Sequence, residues 1–234
     1  MVQPSAQRER EIGLEVFFSD TAGSGGKLKV EAEDFVVDEV SKYPPEKPDG
    51  KVCVARVTAT NWETNRLVRH MSKTLGISRN RIGFAGTKDK RAVTSQLLSF
   101  EAPVEEVMAL RLSQVKVEGG YMAKRGMTIG DLVGNNFQIR IRETRLKGEE
   151  LRSSLQGTES ALKELNGFPN FFGVQRFGTV RPVTHLVGRA IVKGDLERAV
   201  LLYIGNPSEE EDERSRAARE ALQRDRDYSA ALRD

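Results

Sequence analysis

Between Lys27 and Val40 the chain alternates. Leu28, Val30 and Ala32 fall on one face, followed by Phe35, Val37 and Glu39. A period of two marks a half-buried β-strand, here a strand pair or one strand with a bulge. Val52 to Ala59 is nearly all apolar and reads as a strand covered on both faces. The period then changes. Leu67, Val68, Met71 and Leu75 form one apolar stripe of a helix, with Thr64 placed to cap it and Gly76 to end it. Ala92 to Phe100 reads as a strand, Pro103 to Leu112 as a helix, and Gln114 to Val117 as a short strand. Met127 to Gly134 is a turn-rich connector. Beyond it, Phe137, Ile139 and Ile141 alternate with Gln138, Arg140 and Arg142, a half-exposed strand with Asn135 and Asn136 at its entrance.

Helical spacing takes over afterwards, at Leu151–Leu165, Thr184–Lys193 and Asp195–Ile204, the last two each capped at the start and followed by Gly. Glu209 to Asp227 is a charged helix or a flexible segment, and residues 1–11 are a loose tail or a short helix. Strands first and helices later make an α+β chain with a boundary near residue 150, giving domains 1–150 and 151–234.

Composition alters this picture little; charge alters it more. The net charge is only +3, but eight Lys or Arg stand against one acid between Arg66 and Phe100, and that acid is Asp89. Arg66, Arg69, His70 and Lys73 lie on the polar side of the helix that starts near Thr64, which makes that side either a solvated face or a phosphate-contact surface. Cys53 is the single cysteine, in an apolar run that suits a buried thiol, so no internal disulfide forms. With one Cys and two distant His (His70, His185), no protein metal site is expected. The N-terminus lacks the apolar core of a signal peptide and no stretch is long enough to span a membrane, so a cytoplasmic protein is expected.

The stretch Arg81–Phe100 carries the candidate chemistry. Asp89 lies between Lys88 and Lys90, with Arg91 next, behind a small, flexible Gly83-Phe-Ala-Gly86. One carboxylate among cations suits a nucleophile better than a general-acid pair. The competing reading is a solvated Asp in a charged β-turn.

Phe84-Ala-Gly-Thr-Lys-Asp-Lys-Arg-Ala-Val-Thr-Ser-Gln96 closely resembles the signature of the TruD family of pseudouridine synthases. Glu33-Asp-Phe-Val-Val37, Gly134-Asn-Asn-Phe137 and Pro169-Asn-Phe-Phe-Gly-Val-Gln-Arg-Phe-Gly178 resemble its other motifs, in the family's order, and Asn61–Arg69 resembles its archaeal branch. The resemblance implies conversion of uridine to pseudouridine in tRNA, typically at position thirteen in the D-arm, with no metal and no organic cofactor. It implies Asp89 as the catalytic residue, and Lys29, Phe35, Asn135 and Phe137 as residues around the substrate; the local excess of positive charge separately makes Lys88 an expected RNA contact. The implied fold is a pseudouridine-synthase core with a mixed, mostly antiparallel sheet, interrupted by an α/β insertion domain. The family's returning C-terminal segment has no counterpart here, so the resemblance also implies a complementing segment. The alternative function is a non-catalytic RNA-binding module.

Overall fold

The computed structural model describes residues 4–178 and 180–231. These form two compact units. One is residues 24–147; the other combines the segment up to Gly23 with residues from Gly148 onward.

The first unit is a six-stranded sheet. Its strands are β1 (Phe35–Ser41), β2 (Val52–Thr60), β3 (Ile82–Phe84), β4 (Val93–Phe100), β5 (Val115–Ala123) and β6 (Leu132–Ile139). The order across the sheet is β5-β2-β4-β1-β6, and β3 pairs with the far half of β4. The β1–β4 pair is parallel and every other pair is antiparallel. The fold is therefore α+β with a mixed, mostly antiparallel sheet, as expected. Helices α1 (Gln7–Glu11), α2 (Thr64–Thr74) and α3 (Val104–Met108) precede the helical part of the chain.

One sheet face is covered. Cys53, Ala55, Val57 and Ala59 of β2 meet Leu98 and Phe100 of β4 under Leu67, Val68 and Met71 of α2 and Val107 of α3. Phe100 and Met71 are fully buried, and burying a side chain of this size contributes about 1.5–3 kcal/mol. Cys53 lies at the centre of this layer, where burial pushes its thiol up to about 11. The positive φ of Gly76 (63°) ends α2 where the sequence places the stop.

Several boundaries differ from the sequence reading. Leu28, Val30 and Ala32 are not strand residues. Lys29 takes a left-handed φ of 55°, and residues Ala32–Asp34 form a 3-10 turn whose Asp34 carboxylate accepts the Glu31 N–H, so pairing starts only at Phe35. Glu63, not Thr64, caps α2, accepting from the N–H groups of Asn65 and Arg66. Ile82–Phe84, ahead of the Asp89 turn and not expected as a strand, pairs with β4 as a short strand. The strand expected at Gln114–Val117 runs on to Ala123, the helix expected from Pro103 stops at Met108, and β6 starts early enough to contain Asn135 and Asn136.

The second unit holds α1 together with α4 (Gly148–Leu165), α5 (Val174–Phe177), α6 (Thr184–Val192), α7 (Leu196–Ile204), α8 (Glu213–Asp225) and α9 (Tyr228–Ala231). Asp195 caps α7 through the Arg198 N–H, as its spacing suggests. Thr184 does not cap α6; its hydroxyl donates to the Phe177 carbonyl. Glu211, nearly buried, pairs with both Arg181 and Arg219 at 2.8 Å and so ties the segment before α6 to α8.

Candidate active site

The turn from Ala85 to Arg91 leaves β3 and returns as β4, so a sheet holds both of its ends. Within it, consecutive side chains point apart. Asp89 faces outward and its side chain is 61% exposed; Lys88 faces inward and is buried.

Asp89 meets Lys29. The ammonium lies 2.6 Å from Oδ2, while Oδ1 has no partner among the described residues. The same ammonium lies 4.0 Å from the centroid of the Phe35 ring, within cation–π range. The Phe35 ring meets Phe137 edge-to-face at 6.0 Å between centroids. The two Phe come from neighbouring strands, β1 and β6, whose register pairs Val37 with Phe137 and Phe35 with Ile139. Phe137 is 58% exposed, which leaves its ring open to a planar ligand. Arg91 anchors the end of the turn by donating to the Val30 carbonyl at 2.7 Å, one residue from Lys29. Four of the expected site residues thus share one place: Lys29, Phe35, Asp89 and Phe137.

The β1–β6 pair is locked from outside this cluster. Arg142 grips both oxygens of the buried Asp34, at 2.8 and 2.7 Å through Nε, and reaches Glu31 at 2.7 Å through Nη2. The guanidinium holds the Asp34 carboxyl below the usual carboxylate range. Arg125 does the same to Asp131 at the start of β6, through a bidentate pair at 2.6 and 2.7 Å, and pushes its carboxyl well below that range.

Asn135 stands two residues from Phe137 on the same side of β6, directly across from Glu39 of β1. Its Oδ1 is buried without a partner among the described residues, and no hydrogen bond joins it to Asp89. Lys88 does not fit the expected contact with RNA. Its ammonium is turned under the sheet onto Glu39 Oε2 at 2.5 Å, and its backbone N–H donates to the Thr64 hydroxyl at 2.8 Å. Glu39 and Thr64 are the participants that sequence reasoning missed. Glu39 did carry a signal: an acid on the inward face of a strand, in step with Phe35 and Val37. Among the described residues, no group of three His, Cys, Asp or Glu could hold a metal ion.

The comparisons with known proteins agree on one family. The sequence model of tRNA pseudouridine synthase D (TruD) matches residues 11–234. The chain belongs to the TruD family. A "probable tRNA pseudouridine synthase D" of Methanosarcina barkeri is 42% identical over 226 residues, which cover 96% of this chain and 51% of that protein. A protein of the same description in Archaeoglobus fulgidus is 41% identical, over 97% of this chain and 54% of its own length. The crystal structure of a Methanosarcina mazei protein assigned to TruD superposes with a TM-score of 0.85 at 40% identity, covering 97% of this chain and 52% of that one. This TruD-family chain therefore spans about half the length of the relatives it matches. All four motifs quoted from the sequence fall inside the matched region.

Proposed function

We propose that this chain provides the catalytic half of an enzyme that converts uridine to pseudouridine in tRNA, with Asp89 as the reacting carboxylate. The observation that carries the reading is the Lys29–Asp89 pair seated beside the Phe35 and Phe137 rings, in a chain of this family. The reaction breaks the N1–C1′ bond, turns the base and joins C5 to C1′. The proton lost from C5 is balanced by one gained at N1, so the chemistry is an isomerisation that needs no oxidant or reductant. Asp89 either bonds to the nucleoside or balances positive charge at C1′ while the base is detached. Lys29 holds Oδ2 and leaves Oδ1 free to face the sugar or base.

A uridine must leave its stack to reach this turn. The exposed ring of Phe137 supplies a stacking partner, a contact worth about 1–3 kcal/mol per base. Phe35 backs that ring, and the Asn135 amide supplies hydrogen bonds to a polar edge. Position thirteen of the D-arm is the target that the family motifs favour, and a cytoplasmic location is consistent with a tRNA substrate. Because relatives are about twice as long, turnover is expected once the remaining segment is supplied.

The test is Asp89→Asn in the chain joined to that segment, with pseudouridine read by carbodiimide adduct formation on a tRNA transcript. Pseudouridine should disappear while RNA affinity stays within a few-fold. A yield near wild type in the Asn variant would overturn the assignment of Asp89. RNA binding without turnover in the complete wild-type protein would favour the non-catalytic module instead.

A further inference from the structure

Lys88 and Glu39 are the one ion pair of the sheet unit in which both side chains are buried among the described residues, at 6% and 0% exposed. The charge pattern gave Lys88 to the RNA, yet its ammonium is buried on Glu39. Glu39 uses both oxygens. Oε2 takes Lys88 at 2.5 Å; Oε1 accepts the Ser41 hydroxyl at 2.8 Å and the Leu97 N–H at 3.3 Å. Leu97 belongs to β4, the strand that leaves the turn. One carboxylate on β1 therefore holds the turn itself and the strand beyond it. The Lys88 backbone adds a third tie, to Thr64 at the start of α2.

The surroundings are polar in a place where the rest of the layer is apolar. The parallel register of Val37 with Thr94 and Asp38 with Ser95 sets Gln96 beside Glu39. The antiparallel register sets Asn135 on its other side. Both Gln96 amide atoms and Asn135 Oδ1 are buried without protein partners among the described residues. A buried ion pair in such a row is a poor device for stability alone, since well-packed apolar residues of similar volume often serve as well or better. What it offers over apolar residues is direction: a salt bridge with hydrogen bonds on both oxygens has one geometry, and the next residue in the chain is Asp89.

We propose that the Glu39–Lys88 pair is the positioning device of the Asp89 turn. It pins residue 88 inward and so aims residue 89 outward, at Lys29. Glu39 and Lys88 are positioning residues, not groups that touch the substrate. The proposal deepens the reading of Asp89 as the reacting carboxylate, and rests on it only for the kinetic arm of the test.

The structural arm uses the chain as it stands. In Glu39→Gln/Lys88→Met, which removes both charges together, hydrogen exchange at the Lys88 position should lose at least tenfold protection while the Val57 amide of β2 stays within threefold. The Lys29 ammonium resonance, held by Asp89, should broaden or vanish. Glu39→Gln alone, nearly isosteric, should show the same local loss. Unchanged protection and an unchanged Lys29 signal in either variant would overturn the proposal. So would global unfolding of both, because the pair would then hold the fold rather than the turn. In the kinetic arm, on the complete enzyme, kcat should fall at least 30-fold with RNA Kd within threefold. A raised Kd with a shallower salt dependence would instead assign Lys88 to a phosphate and overturn the proposal. Absence of turnover in the wild type would count against the functional reading and leave the structural arm standing.

Discussion

Replacing Lys29 separates what it does for the fold from what it does for the site. Its ammonium makes two contacts, to Asp89 at 2.6 Å and to the Phe35 ring at 4.0 Å. The pair is partly exposed, with side chains 28% and 61% accessible, so it contributes about 0.2–1 kcal/mol. The cation–π contact adds about 0.5–1 kcal/mol at such a site. Against these stands the backbone. Lys29 holds a φ of 55°, a conformation that disfavours any residue with a Cβ by roughly 1–2 kcal/mol. Lys29→Met should therefore destabilise the sheet unit by about 1–2 kcal/mol. Lys29→Gly loses the same contacts but relieves the strain, and should lie within about 1 kcal/mol of wild type. In the completed enzyme, the proposed role of Asp89 predicts that both lose activity, since neither holds its carboxylate. Trp62 is the single tryptophan and belongs to the sheet unit, where its indole N–H donates to the Ser113 carbonyl at 3.1 Å. Urea unfolding followed by its fluorescence thus reports this unit, and the two variants should differ in midpoint with equal slopes. A Gly variant as unstable as the Met variant would refute the reasoning, because it would show that the left-handed backbone carries no strain for Lys29 to hold.

Four further outcomes are expected. Arg125 and Arg142 hold Asp131 and Asp34 below the ordinary carboxylate range, so the folded state binds fewer protons than the unfolded one. That stability is present above the unfolded carboxylate value of about 4 and is lost as pH falls through the lower folded values, so the urea midpoint should drop in acid; Asp131→Asn should flatten the drop, and an unchanged acid slope would contradict this. Gly83→Ala should destabilise strongly, because an added Cβ would lie 2.5 Å from the Met127 carbonyl oxygen and 2.6 Å from Ser99 Oγ; a thermal midpoint equal to wild type would show that β3 can shift. Arg66 and Arg69 are exposed on α2, and changing both to Ala should lower the slope of log affinity for tRNA against log salt by roughly 0.7–0.9 per lost phosphate contact, whereas an unchanged slope places the RNA elsewhere. Strand β6 is an edge of the sheet with Val133 and Phe137 at 64% and 58% exposure, so the chain alone should self-associate with rising concentration; a light-scattering mass that stays monomeric would contradict this.

Periodicity revealed the middle of the sheet and α2, because those elements bury one regular face. Val52–Thr60 and the Leu67–Val68–Met71 stripe lie close to where the pattern puts them. The pattern failed where side chains override it. Leu28 and Val30 alternate like strand residues, but the turn at Lys29 and the Asp34–Arg142 lock, 108 residues apart in sequence, decide their conformation. The site was legible as a set of residues through motif likeness, and Lys29, Phe35, Asp89 and Phe137 do come together. The direction of Lys88 was not legible. A Lys-Asp-Lys run looks uniformly solvated, and only the inward acid on β1, 49 residues away, turns the first of the two lysines under the sheet.

The place of β1 in the sheet has a consequence for the order in which the site comes into being. Strands β2, β3, β4 and β5 pair antiparallel among themselves, while β1 lies between β4 and β6. On a ribosome β1 is the first strand made and the last to be enclosed. Strand β1 waits for β4, and Phe35 then for Ile139, roughly a hundred residues later, which at about 5–20 residues per second is some 5–20 s of synthesis. Until then Phe35 and Phe137 cannot meet, and the stacking surface beside Asp89 does not exist. A nascent or stalled chain therefore carries an unfinished sheet, and on the proposed reading the capacity to hold a base would be acquired in the same step that completes it.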